Sequence, residues 1–133
     1  MTTIWQFVRR FIQTFFLIDN SRRIKFGNGA IYFQISPTKV KLFAGLADTG
    51  LSAGVSPAQA REIFEAIRTA HSHKDIRQVE AGEIICTADC RVVPRVPDQV
   101  NIKFAGDFGS TSMRLTRAEI AKTLEDFDTK LAT

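Results

Sequence analysis

The stretch GVSPAQAREIFEAI at positions 54–67 returns sixty residues later as RLTRAEIAKTLEDF at 114–127. A chain that repeats such a phrase is committed to two units of one plan, so the repeat limits the fold more than any other feature. In each copy a hydroxyl residue, Ser56 or Thr116, stands three positions before Gln59 or Glu119. This is a capping box, in which the two side chains satisfy amides that a helix start leaves unpaired. Pro57 suits the first helical position of the earlier copy. Downstream, Ala60, Ile63, Phe64 and Ile67 and then Ile120, Leu124, Phe127 and Leu131 recur at helical spacing.

Upstream of each cap the period changes to two. Val40 and Leu42 alternate with Lys39, Lys41 and Phe43, and Val100, Ile102 and Phe104 alternate with Gln99, Asn101 and Lys103, the mark of half-buried strands. Four strands are expected before the first helix: RRIKF, AIYFQIS, KVKLFAGL and LSAGVS. Four more are expected before the second: IRQVE, EIICTADCRVV at 83–93, QVNIKFA and STSMRLT. Gly27 to Gly29, Ser36-Pro37, Asp48 to Gly50, Gly82, Pro94 to Asp98 and Gly106 to Gly109 supply the breaks. An ungapped slide of sixty gives seven identities over positions 20 to 71, among them Ile24 with Ile84, Glu65 with Glu125 and Thr69 with Thr129. Average residue usage would give about three by chance.

The expected fold is therefore α+β, with tandem ββββα repeats at 21–72 and 77–131 related by pseudo-twofold symmetry in a single domain. A unit of about fifty residues with one helix is marginal alone, whereas two can bury their apolar faces against each other. Before the repeats, residues 1–20 are expected to hold an amphipathic helix. Its apolar face gathers Ile4, Trp5, Val8, Phe11, Ile12, Phe15 and Phe16 and leaves Arg9 and Arg10 opposite. That helix would dock on the repeats or on a second copy of the chain, or bind a membrane surface or a protein partner.

Cys86 and Cys90 follow no secretion signal, and no run of about twenty apolar residues is present, which points to free thiols, no membrane crossing and a cytoplasmic location. The formal charge of +4 falls within residues 1–26, where Arg9, Arg10, Arg22, Arg23 and Lys25 face only Asp19. A polyanion would meet that part first.

Catalytic signals are few. The triplet Asp48-Thr49-Gly50 is similar to the catalytic loop of retroviral-type aspartic proteases, whose chemistry needs a second carboxylate from another copy or from Asp107. Asp107 falls one position off that frame, and Asp-Thr-Gly is also ordinary turn chemistry. His71, His73, Cys86 and Cys90 have zinc-ligand composition without the spacing of common sites, so neither metal nor cofactor is expected. No phosphate cradle or nucleophile elbow occurs, so a non-enzymatic protein is expected. What remains is a surface. Arg22, Arg23, Lys25, Lys39, Lys41, Phe43, Asn101 and Lys103 mark strand faces turned from the core, where cations interleaved with an aromatic suit single-stranded nucleic acid.

Two ββββα units, each closed by a capped helix, resemble the Whirly family of single-stranded-DNA-binding proteins over residues 21–131, and equally the Pur-type repeat and the dimeric positive-cofactor coactivators. The resemblance implies that nucleic acid, DNA rather than RNA, is gripped on the sheet faces while the helices hold the units together. It carries over to Lys39, Lys41 and Phe43 on one third strand and Asn101 and Lys103 on the other. It also implies a homo-oligomer.

Overall fold

The computed structural model describes residues 22–44, 51–107 and 109–131. Two antiparallel four-stranded sheets, each followed by one helix, account for nearly all of them. The first sheet runs in order β1 (Arg23–Phe26), β2 (Ile31–Ile35), β3 (Val40–Ala44), β4 (Leu51–Val55), and α1 (Pro57–His73) follows. The second is β5 (Ile76–Ala81), β6 (Ile84–Asp89), β7 (Gln99–Gly106), β8 (Gly109–Thr116), followed by α2 (Arg117–Lys130). The expected amphipathic segment 2–18 and the Asp48-Thr49-Gly50 triplet lie outside the described residues.

Both helices open as the capping boxes require. Ser56 Oγ accepts from the Gln59 amide at 3.1 Å while Gln59 returns a bond to the Ser56 amide at 2.9 Å, and Thr116 with Glu119 reproduces both distances. Two of the sequence identities also repeat a role, since Thr69 and Thr129 each donate to the carbonyl four residues back, at Glu65 and Glu125.

The inner faces of both sheets and the apolar stripes of both helices form one hydrophobic cluster. At its centre Phe104 of β7 lies 5.6 Å, ring to ring, from both Phe26 and Phe33 of the first sheet, edge-on in each case. Phe64 of α1 stacks on Phe127 of α2 at 4.9 Å. These five rings are fully buried and explain part of the chain's richness in Phe, each removing 150–250 Å² or so from water. Neither unit could enclose them alone.

Contacts between the units are reciprocal. The β1–β2 turn at Gly27, φ +56°, lies against Leu115 near the end of β8 and Glu119 at the start of α2, and the β5–β6 turn at Gly82, φ +59°, lies against Gln59 at the start of α1. Both glycines hold a left-handed backbone, and an added Cβ would meet the Leu115 side chain at Gly27 and the cap residue Gln59 at Gly82. Arg68 of α1 pairs with Asp128 of α2, its own counterpart sixty positions on.

The ungapped frame of sixty holds from β3 onward and fails before it. Leu42 faces Ala53 as Ile102 faces Met113, but Phe33 is the partner of Leu42 and Ala88 the partner of Ile102. The counterpart of Phe33 is therefore Ala88, and that of Ile24 is Arg77. The identity of Ile24 with Ile84 thus joins β1 to β6 and marks no equivalence. The physical reason lies in the connections: residues 36–39 join β2 to β3, whereas the longer run 90–98 joins β6 to β7. For the same reason β6 ends at Asp89 and not near position 93. Arg117 holds the longer run, its Nε donating to Pro97 O and its Nη2 to Cys90 O, both at 2.9 Å.

Candidate nucleic-acid interface

Strand alternation decides what each sheet shows to solvent. On the first sheet the outward rows, read across the register, are Lys25, Tyr32, Phe43, Ser52 and Arg23, Gln34, Lys41, Gly54. None of these eight is acidic. Tyr32 and Phe43, directly opposed on β2 and β3, stack with ring centroids 5.3 Å apart and planes 25° from parallel. Arg23 places its guanidinium carbon 4.3 Å from the centre of the Tyr32 ring and donates from Nε to Gln34 Oε1 at 2.9 Å. A cation over the ring face fixes the ring's tilt as well as adding charge. Lys25 and Lys41 are exposed on either side of the aromatic pair.

Two of the expected residues sit off the strands. Arg22 precedes β1, where its carbonyl accepts from the Ile35 amide at 2.8 Å. Lys39 precedes β3, and its methylenes cover Gly54 so closely that a Cβ at Gly54 would strike them. Glycine at that outward position of β4 is what lets Lys39 lie across the sheet beside Lys41. The Gly54 amide, on the open edge of β4, donates to Glu83 Oε1 at 2.6 Å.

The corresponding face of the second sheet is different in kind. The counterparts of Lys25, Tyr32, Phe43 and Ser52 are Gln78, Thr87, Lys103 and Ser112. Those of Arg23, Gln34, Lys41 and Gly54 are Ile76, Asp89, Asn101 and Arg114. No aromatic ring stands on these eight positions, and one of them, Asp89, is a carboxylate set beside Lys103 and Arg114. The Asp89 carboxyl is held below its ordinary value by the hydrogen bonds it accepts from Arg91, at 2.9 and 2.8 Å, and by that cation's charge. Asn101 and Lys103 are exposed on this second sheet, so the structure does not bring them together with Lys39, Lys41 and Phe43 on one face.

Tyr32 is the residue that sequence reasoning missed. The signal was present: in AIYFQIS the apolar Ile31, Phe33 and Ile35 alternate with Tyr32 and Gln34, which turns the chain's single tyrosine to the side of the lysines.

The remaining reactive groups point inward. Cys86 and Cys90 are buried free thiols, pushed up to about 12 and about 11, in each case chiefly by loss of hydration, which leaves almost no thiolate at neutral pH. Desolvation, with the nearby Arg117 charge, holds His71 below its ordinary value. Among the described residues no three His, Cys, Asp or Glu side chains are grouped to hold a metal, and no helix is long and apolar enough to cross a membrane. No protein-family model, curated protein or solved structure matches this chain.

Proposed function

We propose that this chain is a non-enzymatic protein that binds single-stranded nucleic acid, DNA in preference to RNA, on the outer face of its first sheet. What carries this reading is the stacked Tyr32–Phe43 pair set among Arg23, Lys25 and Lys41 with no carboxylate in the same rows. An aromatic pair offers a π-surface to a base of any sequence, and cations around it neutralise the phosphates that accompany the base. An unstacked base is available only in a single strand. The resemblance to Whirly-type units, read as a pseudo-twofold pair of repeats in a cytoplasmic homo-oligomer, supports the same reading. The proposal assigns the ligand to one face, where the resemblance had implied both.

Base–aromatic stacking is worth about 1–3 kcal/mol per base. Replacing both rings, Tyr32→Ala with Phe43→Ala, is expected to weaken binding of a fluorescent oligothymidylate by at least about tenfold, since roughly 1.4 kcal/mol is one decade. Lys39→Ala with Lys41→Ala is expected to weaken all sequences alike and to flatten the salt dependence. A titration that detects no salt-sensitive binding at micromolar protein would reject the reading.

A further inference from the structure

The aromatic face ends at β1, and beyond β1 lies a feature that the strand pattern does not reveal. Helix α2 runs along the open edge of that strand and satisfies its outward carbonyls. Thr123 Oγ1 donates to Lys25 O at 2.9 Å and Lys130 Nζ donates to Arg23 O at 2.7 Å. Covering the edge in this way protects it from pairing with another strand. It also leaves a trough between the sheet face and the helix.

Two hollows that share Lys130 lie along this edge. One, of about 260 Å³, is lined by Arg23, Lys25, Lys122 and Lys130 together with Glu119 and Asp126. The other, of about 550 Å³, is lined by Arg22, Ile35, Thr129 and the same Lys130. Five cations therefore border a groove that holds two carboxylates. Of those two, Glu119 is already committed to the Thr116 amide at 2.9 Å. An ammonium has three donors, so the bond from Lys130 to Arg23 leaves two for a ligand. The trough lies two strand positions from Tyr32, roughly 10 Å at ordinary strand spacing.

We propose that this trough between β1 and α2 is a phosphate-binding track, which carries the backbone of a single strand whose bases lie on Tyr32 and Phe43. The proposal rests on the reading of the first sheet as the nucleic-acid face, and it adds Lys122 and Lys130 of α2 to the site. Those two residues belong to the second repeat, so the ligand bridges both units. The face supplies stacking and the trough supplies charge, which are the two separate requirements of sequence-tolerant single-strand binding.

Lys122 is exposed, and among the described residues its side chain makes no hydrogen bond or ion pair, which suits it to the test. The probe is an oligothymidylate of about twelve nucleotides, within the range of known single-strand site sizes. Lys122→Ala is expected to reduce the slope of log K against log salt by about 0.7, the value for one lost phosphate contact, and Lys122→Glu to reduce affinity further. Arg61→Ala on α1 removes the same charge away from the trough and is expected to leave the slope unchanged. If Lys122→Ala and Arg61→Ala behave alike while Tyr32→Ala with Phe43→Ala still loses binding, the track is wrong and the face stands. If the unaltered protein shows no salt-sensitive binding, the face falls and the track falls with it.

Discussion

Apart from the edge strands, where buried Ile24 corresponds to exposed Arg77, the two sheets agree on the side that faces the core, and they differ on the side that faces water. Inside, counterpart positions are complementary in size. Ala44 on β3 corresponds to Phe104 on β7, and Phe33 on β2 to Ala88 on β6, so one half receives bulk where the other supplies it. Outside, Tyr32, Lys41 and Phe43 correspond to Thr87, Asn101 and Lys103, and nothing compensates. Burial tolerates only exchanges that preserve volume, which keeps the inner faces in step. Solvent imposes no such limit, so the outer faces were free to part. A duplicated fold thus keeps two structural halves whose outward faces differ in chemistry.

Writing one half's residue into the other half tests this contrast. The largest effect is expected inside. Phe104→Ala, which copies Ala44, removes a ring packed on Phe26 and Phe33 and should cost about 3–5 kcal/mol, since the surrounding core cannot collapse around the loss. Urea denaturation should show one transition moved to lower denaturant, because the two sheets share that core. Two separate transitions would mean that the halves fold independently.

The smallest effect concerns His71 on α1, whose counterpart sixty residues on is the buried Leu131. His71 Nδ1 is buried without a hydrogen-bond partner among the described residues. Its folded-state pKa lies below 6.5, first through desolvation and then through Arg117. As pH falls from about 6.5 the unfolded chain takes up the proton first, so the stability that His71 contributes is intact above that pH and is lost progressively below it. His71→Leu should flatten the melting temperature between pH 7 and about pH 5 relative to the parent. An unchanged pH profile would show that His71 titrates alike in the folded and unfolded chain.

Much of the fold was legible because it rests on local rules. Capping boxes at Ser56 and Thr116, period-two strands and glycine turns each have a short-range signature; both caps stand where the sequence puts them, and the strands follow it except that β6 stops at Asp89 and Arg22 and Lys39 fall just outside β1 and β3. The misplaced correspondence of Ile24 with Ile84 arose because an ungapped slide cannot register a longer connection, and residues 90–98 are held by Arg117 through carbonyls that leave no mark in the sequence. The candidate site was only half legible. Lys41 and Phe43 announce themselves by alternation, but the stacking of Tyr32 on Phe43 depends on the register between β2 and β3. The closeness of Lys122 and Lys130 to β1 depends on tertiary packing across about a hundred residues. Neither can be read along the chain.

The central claim is that an aromatic platform on the first sheet, and not charge alone, binds the ligand. Its most direct test gives the first face the residues of the second, Tyr32→Thr, Lys41→Asn and Phe43→Lys together, which leaves the net charge unchanged. Titrated with oligothymidylate beside Asn101→Ala with Lys103→Ala, the rewritten first face should bind at least about tenfold more weakly, as expected from losing two stacking rings, while the second-face variant stays within about twofold of the parent. Equal affinity of the rewritten face and the parent, or an equal loss from both variants, would contradict the account.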